Sequence, residues 1–240
     1  MLKFIPDAIA SLFYPQACSI CKQSVESCSD GVTCRDCWMR TKIFSERDIL
    51  CTRCGAFLRE SDYSADTFCR RCDDHSYDCA RAIGIYDDAL AAAVIHLKHV
   101  PIVSKTTRRY LIDSVENYSF GTVDMIVPVP LSARRLIERG FNQAAVIAAI
   151  IAKSSGIAID EHTLVRTVHT PMHRAAMDKK AREMTVKNAF SVTRPKLVDG
   201  KNVLLVDDVL TSGSTASHCA KILKKNGAER VNVLTLARAV

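Results

Sequence analysis

The chain has 240 residues, of which 48% are apolar and 25% charged, and its net charge is +7. That is room for one large domain, or for a domain with a small module, and enough apolar material for a globular core. No window offers the roughly 18 uninterrupted apolar residues of a membrane span, which argues against membrane insertion.

Met1 to Phe13 carries Lys3 and an apolar run, so an export signal has to be considered. Pro6 and Asp7 interrupt that run, and no small-residue cleavage site follows. Residues 1–14 are therefore read as an amphipathic N-terminal helix ending at Tyr14-Pro15, and the chain is expected to be cytoplasmic.

The next stretch, 15–79, holds ten of the eleven cysteines. Eight form C-x-x-C pairs: Cys18 with Cys21, Cys34 with Cys37, Cys51 with Cys54, and Cys69 with Cys72. Spacers of 12 and 14 residues separate the first pair from the second and the third from the fourth. A C-x-x-C turn puts two thiolates on one side of a tetrahedral ion, and a second turn completes the shell. Two structural Zn²⁺ sites in a double zinc ribbon follow, with sequential or interleaved use of the pairs both open. Disulfides compete with that reading but need an oxidising compartment; a redox dithiol is the other alternative. Cys28 and Cys79 have no C-x-x-C mate. The segments between the pairs are too short for a large core, so metal must supply much of the module's folding energy.

Residues 80–240 alternate strands and helices. Ala80 to Tyr86 reads as a strand, Asp87 to His99 and Ser104 to Tyr118 as helices, and Met125 to Pro130 as a strand stiffened by proline. A helix is expected from Asn142 to Ser154, with Gly156 at its end. Leu164 to Thr167 and Asn188 to Val192 read as strands flanking a basic excursion. Val203–Val206, Ser214 to Asn226 and Val231–Ala237 then read as strand, helix and strand. The pattern predicts an α/β fold: a mostly parallel sheet with helices on both faces, preceded by the small Cys-rich module. Such sheets bind ligands beyond the carboxyl ends of their strands. Charge divides the chain at the same place, residues 1–79 balancing at −2 and residues 80–240 at +9. A positive field there suits a polyphosphate or a nucleic acid, although a solvated basic surface carries similar charge.

The run Asn202 to Thr215 carries the sharpest chemical signal. An apolar strand leads to Asp207 and Asp208, and Thr211-Ser212-Gly213-Ser214-Thr215 then opens a helix. Backbone N–H groups and hydroxyls of such a turn can hold a phosphate at the positive end of a helix dipole. The two carboxylates, one step earlier, can accept hydrogen bonds from ribose hydroxyls. A solvated strand end followed by a turn and a helix cap would look similar in each part, though not in the whole. No G-K-[ST] follows the glycine and no G-x-G-x-x-G is present, so a Walker A loop and a dinucleotide fingerprint are excluded. A second loop is read between Pro128 and Asn142, with Arg134, Arg135, Arg139 and Gly140. Arginine offers a planar fork to phosphate oxygens, and glycine lets backbone approach them, which suits a pyrophosphate clamp.

The four C-x-x-C pairs, the P-V-P-L…R-R…R-G-F-N-Q run ending at Gln143 and the V-D-D-V-x-T-S-G-S-T run together resemble the ComF family. The last of these is shared with type I phosphoribosyltransferases. The resemblance covers about 15–240. It implies a phosphoribosyltransferase-like domain over 80–240 that binds 5-phosphoribosyl-1-pyrophosphate (PRPP). By position it implies that Asp207 and Asp208 meet the ribose hydroxyls and that Thr211, Ser212, Gly213, Ser214 and Thr215 hold the 5′-phosphate. Arg134, Arg135, Arg139 and Gly140, with Lys98, would meet the pyrophosphate. Mg²⁺ would travel with PRPP and need few protein ligands. Residues between the two short strands would form the hood that closes over PRPP, with Arg174 and Arg182 facing it. This chain departs from the family there: His173 stands for glutamine, Thr185 for asparagine, and Asn188-Ala189-Phe190 for G-A-F. The family association adds a role in natural transformation, with single-stranded DNA and DNA-uptake proteins as partners. The alternative is an active phosphoribosyltransferase with an acceptor the residues do not reveal. No catalytic residue is assigned; His96, His99 and His169 are candidates by type alone.

Overall fold

The computed structural model describes residues 16–58, 69, 74–118, 120–167 and 189–239. The helix expected over 1–14, Cys72, and the excursion 168–188 with Arg174 and Arg182 lie outside the described residues.

Four parallel strands form the central sheet: β1 (Cys79–Ile85), β2 (Met125–Pro128), β5 (Asn202–Leu210) and β6 (Arg230–Arg238). Their order is β1-β6-β5-β2. A separate antiparallel pair joins β3 (Leu164–Arg166) to β4 (Phe190–Val192). Three helices, α2 (Asp88–Leu97), α3 (Lys105–Asn117) and α5 (Gln143–Ser155), cover one face of the sheet. The other face carries α6 (Ser214–Lys225). A short α1 (Arg35–Arg40) lies in the Cys-rich stretch and α4 (Ala133–Arg139) follows β2.

Strand alternation explains the layers. Leu204, Val206, Leu234 and Leu236 face Leu90, Leu111, Ile147 and Ile151. Their neighbours Val203, Leu205, Val231 and Val233 face Ala216, Cys219 and Leu223 of α6. With both faces covered, Val203–Val206 of β5 reads as an unbroken apolar run rather than an alternating one. Each buried Leu or Ile contributes about 1.5–3 kcal/mol relative to exposure.

The helix ends follow local chemistry. Ser104 caps α3 by accepting from the Thr107 N–H, and Asn142 caps α5 by accepting from Ala144. Gly156 closes α5 with φ 74°, as its sequence position suggested.

Two expectations need correction. Residues 130–142 are not all loop, because Ser132 caps the seven-residue α4 and Gly140, at φ 77°, ends it. None of its residues is buried, so no apolar period announced it. Nor does β5 end at the two aspartates: Asp207 pairs with Thr235 and the ladder runs on to Leu210.

The Cys-rich stretch is sewn to β1. Ile43 bridges Gly84 antiparallel, and a Cβ at Gly84 would lie 2.2 Å from the Lys42 carbonyl oxygen. Thr41 Oγ1 accepts from the Ala89 N–H in the first turn of α2, and Trp38 packs on Tyr110 of α3 with ring centroids 5.7 Å apart.

Candidate sugar-phosphate site and cysteine centres

Parallel pairing with β6 carries Asp207 and Asp208 to the carboxyl end of the sheet. Asp207 Oδ1 accepts from the Asp208 N–H at 2.9 Å, and Asp208 Oδ1 accepts from the Val209 N–H at 2.8 Å. Desolvation, and then the charge of Asp208, hold the Asp207 carboxyl well above the usual carboxylate range. Two elements distant in sequence meet Asp208. Gln143 Nε2 donates to its Oδ2 at 3.3 Å, and Lys98, just past α2, brings Nζ to 3.9 Å from the same oxygen. Gln143 is buried, and its Oε1 has no partner among the described residues.

The turn after β5 is shaped by a glycine in the left-handed region. Gly213 is the N-cap of α6 at φ 77°, and no side chain caps that helix. Of its first-turn amides, the Ser214 N–H reaches Ser212 Oγ at 3.4 Å, and a helix start without a side-chain cap can offer the others to an anion. Ser212 Oγ and Ser214 Oγ lie 2.9 Å apart and line the turn. Thr211 is exposed and Thr215 half-buried beside them.

The arginines divide. Arg134 is engaged with Glu138 one helical turn on, Nε to Oε1 at 2.8 Å, on the exposed side of α4. Arg139 has a buried Nη1 without a partner among the described residues. Arg135 is half-buried and lies near enough to Arg166 of β3 to lower the Arg166 pKa, second to burial. Asp207 works in the opposite sense on Arg166, which also stacks over Phe190 at 5.2 Å. Arg166 and Gln143 were not assigned site roles from sequence. The only available signals were their neighbourhoods, the R-G-F-N-Q run and the strand before the basic excursion. Asn142 has a positional role as well: its Nδ2 donates to the Val129 carbonyl, tying the start of α5 to the exit of β2.

The cysteines form two clusters. Cys18, Cys21, Cys34 and Cys37 have their Sγ atoms within 4.8 Å of one another, as do Cys51, Cys54 and Cys69. The pairs are therefore used in sequence, not interleaved. Zinc holding thiolates at about 2.3 Å spaces them about 3.8 Å apart. Cys18 to Cys37 is 3.7 Å, Cys21 to Cys34 3.5 Å and Cys54 to Cys69 3.4 Å, so the first donor set fits a tetrahedral ion and the three described thiols of the second fit three of its corners. Backbone N–H groups support the thiolates, Cys34 donating to Cys18 Sγ and Cys69 to Cys51 Sγ. Burial opposes ionisation of Cys18, yet amides of Cys21, Cys34 and Ile20 bring its pKa down to about 6. The Cys54 thiol does most to lower Cys51, to about 4. Burial and the neighbouring thiols push Cys37 up to about 12. Near the second cluster, buried Arg238 of β6 brings Nη2 to 3.6 Å from Cys54 Sγ.

Comparison with known proteins agrees with both halves. Residues 96–239 match the phosphoribosyl transferase domain, and residues 9–73 match the double zinc ribbon domain. The DNA utilization protein YhgH of Salmonella typhimurium is 30% identical over 95% of this chain and 100% of its own length. Competence protein F of Haemophilus influenzae is 30% identical over 95% of this chain and 99% of its own. Competence protein ComFC of Bacillus subtilis is 33% identical over 48% of this chain and 45% of its own. Among solved structures, the glutamine PRPP amidotransferase of B. subtilis is a distant likeness, 21% identical with a TM-score of 0.36 over 53% of this chain and 25% of that one. Double zinc ribbon, parallel sheet and full-length relatives together make this chain a member of the ComF family, with a phosphoribosyl transferase domain.

Proposed function

We propose that this chain binds PRPP and serves the handling of single-stranded DNA during uptake, as a ComF-type protein. The observation that carries the reading is the Asp207–Asp208 pair, oriented by Gln143 and Lys98, immediately before the Gly213 helix start. Ribose hydroxyls would donate to the two carboxylates while the amides and hydroxyls from Thr211 to Thr215 take the 5′-phosphate. Arg139, with its unpartnered buried nitrogen, and Arg135 would take the pyrophosphate; Gly140 supplies the turn and Lys98 a further charge. Arg134 joins them once it leaves Glu138. Mg²⁺ would accompany the pyrophosphate as its counter-ion. On the hood, Arg174 and Arg182 would close over the bound ligand.

Naming of the full-length relatives for competence and DNA utilization supports the DNA role. The +9 balance of residues 80–240 supports attraction to a nucleic-acid backbone. Zinc in the two cysteine clusters would hold the ribbons, and a cytoplasmic location fits reduced thiols. Among the described residues no helix is long and apolar enough to cross a membrane.

Titration calorimetry with PRPP and Mg²⁺ tests the reading. Saturable binding is expected, abolished by joint Asp207→Ala and Asp208→Ala substitution; no binding to the wild type would overturn it. For DNA, affinity for a single-stranded oligonucleotide should fall steeply with salt. A chain that binds no oligonucleotide at low salt would remove the DNA role. The orphaned Arg139 nitrogen also favours turnover, because it is suited to a leaving pyrophosphate. Pyrophosphate release from PRPP across a panel of nucleobases and amines would show whether an acceptor exists.

A further inference from the structure

Residues 74–77 run from the second cysteine cluster to β1, and on the way they pass beneath the phosphate loop. His75 Nε2 lies 3.1 Å from the Ser212 carbonyl oxygen, and His75 Nδ1 lies 2.6 Å from the Tyr77 hydroxyl. A carbonyl can only accept, so Nε2 donates to Ser212, while Nδ1 and the Tyr77 hydroxyl share the second hydrogen bond. Both residues are buried, at 9% and 0% exposure. Between them, the Ser76 N–H donates to Ser217 Oγ in the first turn of α6 at 2.9 Å. Gly213 rests directly on the pair: a Cβ there would lie 2.9 Å from the Tyr77 hydroxyl and 3.0 Å from His75 Cε1.

The other end of this brace is the metal cluster. Arg53 sits inside the Cys51–Cys54 turn, and its guanidinium donates to the His75 carbonyl. The Arg53 carbonyl accepts from the Ala80 N–H at 2.7 Å, at the start of β1. Gly55 lets this approach happen, since a Cβ there would meet the Ala80 carbonyl oxygen at 2.7 Å.

In a trans peptide the C=O and the following N–H point opposite ways. Turning the Ser212 carbonyl toward His75 therefore turns the Gly213 N–H away from the brace, to the open side of the loop. We propose that the metal-loaded second cysteine centre positions the phosphate loop through His75 and Tyr77, so that zinc occupancy and PRPP affinity are coupled. This rests on the PRPP reading of the loop. His75 is a positioning residue: it touches the loop from behind and acts through the Ser212–Gly213 peptide. Coupling between two binding sites is reciprocal, so PRPP must hold zinc as firmly as zinc holds the loop for PRPP.

The test uses the zinc-loaded full chain and two readouts, PRPP·Mg²⁺ affinity by calorimetry and zinc release to a chromogenic chelator. PRPP is expected to slow release of one class of zinc, and to do so in Cys18→Ser, where the first centre is disabled. His75→Ala should keep its second-centre zinc, bind PRPP about tenfold more weakly, and lose that protection. His75→Gln, whose side-chain amide can still donate to the Ser212 carbonyl, should recover most of both effects, which a loss of general stability would not predict. Equal PRPP affinity in the wild type and His75→Ala would overturn the proposal, as would zinc release indifferent to bound PRPP. Absence of any PRPP binding to the wild type would overturn the loop's reading and the coupling together, whereas normal binding without coupling overturns the coupling alone.

Discussion

The two cysteine centres look alike in sequence and are built differently. The first makes its own small core, Cys18, Val25, Cys34 and Cys37, and reaches the rest of the molecule through Trp38, Thr41 and Ile43. Among the described residues the second has no core of its own. Cys51 and Cys54 belong to the same buried cluster as Val203, Leu205, Ala216 and Leu223, behind the Thr211–Thr215 turn. A metal site that shares a core with a binding loop transmits its occupancy to that loop. One that carries its own core does not need to.

Disabling each centre gives the largest contrast. Cys51→Ser should weaken PRPP binding on the order of 100-fold, while Cys18→Ser should leave it within about twofold. Calorimetry on both variants, with zinc content measured beside it, decides the matter; equal losses would erase the asymmetry.

Next in size is the anchor of the first centre. Trp38→Ala removes a buried ring between that centre and α3, at a cost of about 3–5 kcal/mol in urea unfolding. PRPP affinity measured at low temperature, where the variant remains folded, should be nearly unchanged. A parallel loss of binding would mean that the first centre also supports the loop.

A smaller, pH-dependent effect belongs to the ligand side of the second centre's core. The Asp207 carboxyl is raised by burial and by Asp208. As pH rises, the unfolded chain gives up this proton first, near its ordinary pKa of about 3.9. The contribution to stability is therefore full below that value and lost as pH climbs through the raised folded one. Asp207→Asn should melt above the wild type at pH 7 and alongside it near the acid limit, while binding PRPP less well. Calorimetric midpoints that do not separate at pH 7 would contradict the raised carboxyl.

Smallest of all is Arg134→Ala. Its exposed pair with Glu138 is expected to contribute at most about 1 kcal/mol to unfolding free energy. A larger loss in chemical denaturation would place Arg134 in a packed role that its exposure does not suggest.

Sequence patterns revealed the strands and helices that bury a periodic face, and they located Asp207, Asp208 and the Thr211–Thr215 turn. They stopped where periodicity stops. Helix α4 has no fully buried residue, so no apolar period marked it, and β5 was cut short because two carboxylates look like a strand end. The pairing of the cysteines depended on where the chain returns in space. Lys98 came from the family resemblance, and its neighbour Asp208 is reached only through the folded sheet. His75 carried no signal at all, because its partner Ser212 is 137 residues away and is met through a backbone carbonyl, which has no residue-type preference.

The strand order has a consequence for assembly. β6 is the only strand of the sheet beside β1, Cys79 lying opposite Asn232, and β6 also brings Arg238 to Cys54. During synthesis the first centre can close as soon as Cys37 emerges. The second gains Arg238, and the strands behind it, only once β6 has been made. Nascent chains arrested after Gly227 should accordingly shield Cys18 and Cys34 from alkylation while leaving Cys51 reactive, which makes the ribosome's progress along the sheet the timer for the second metal site.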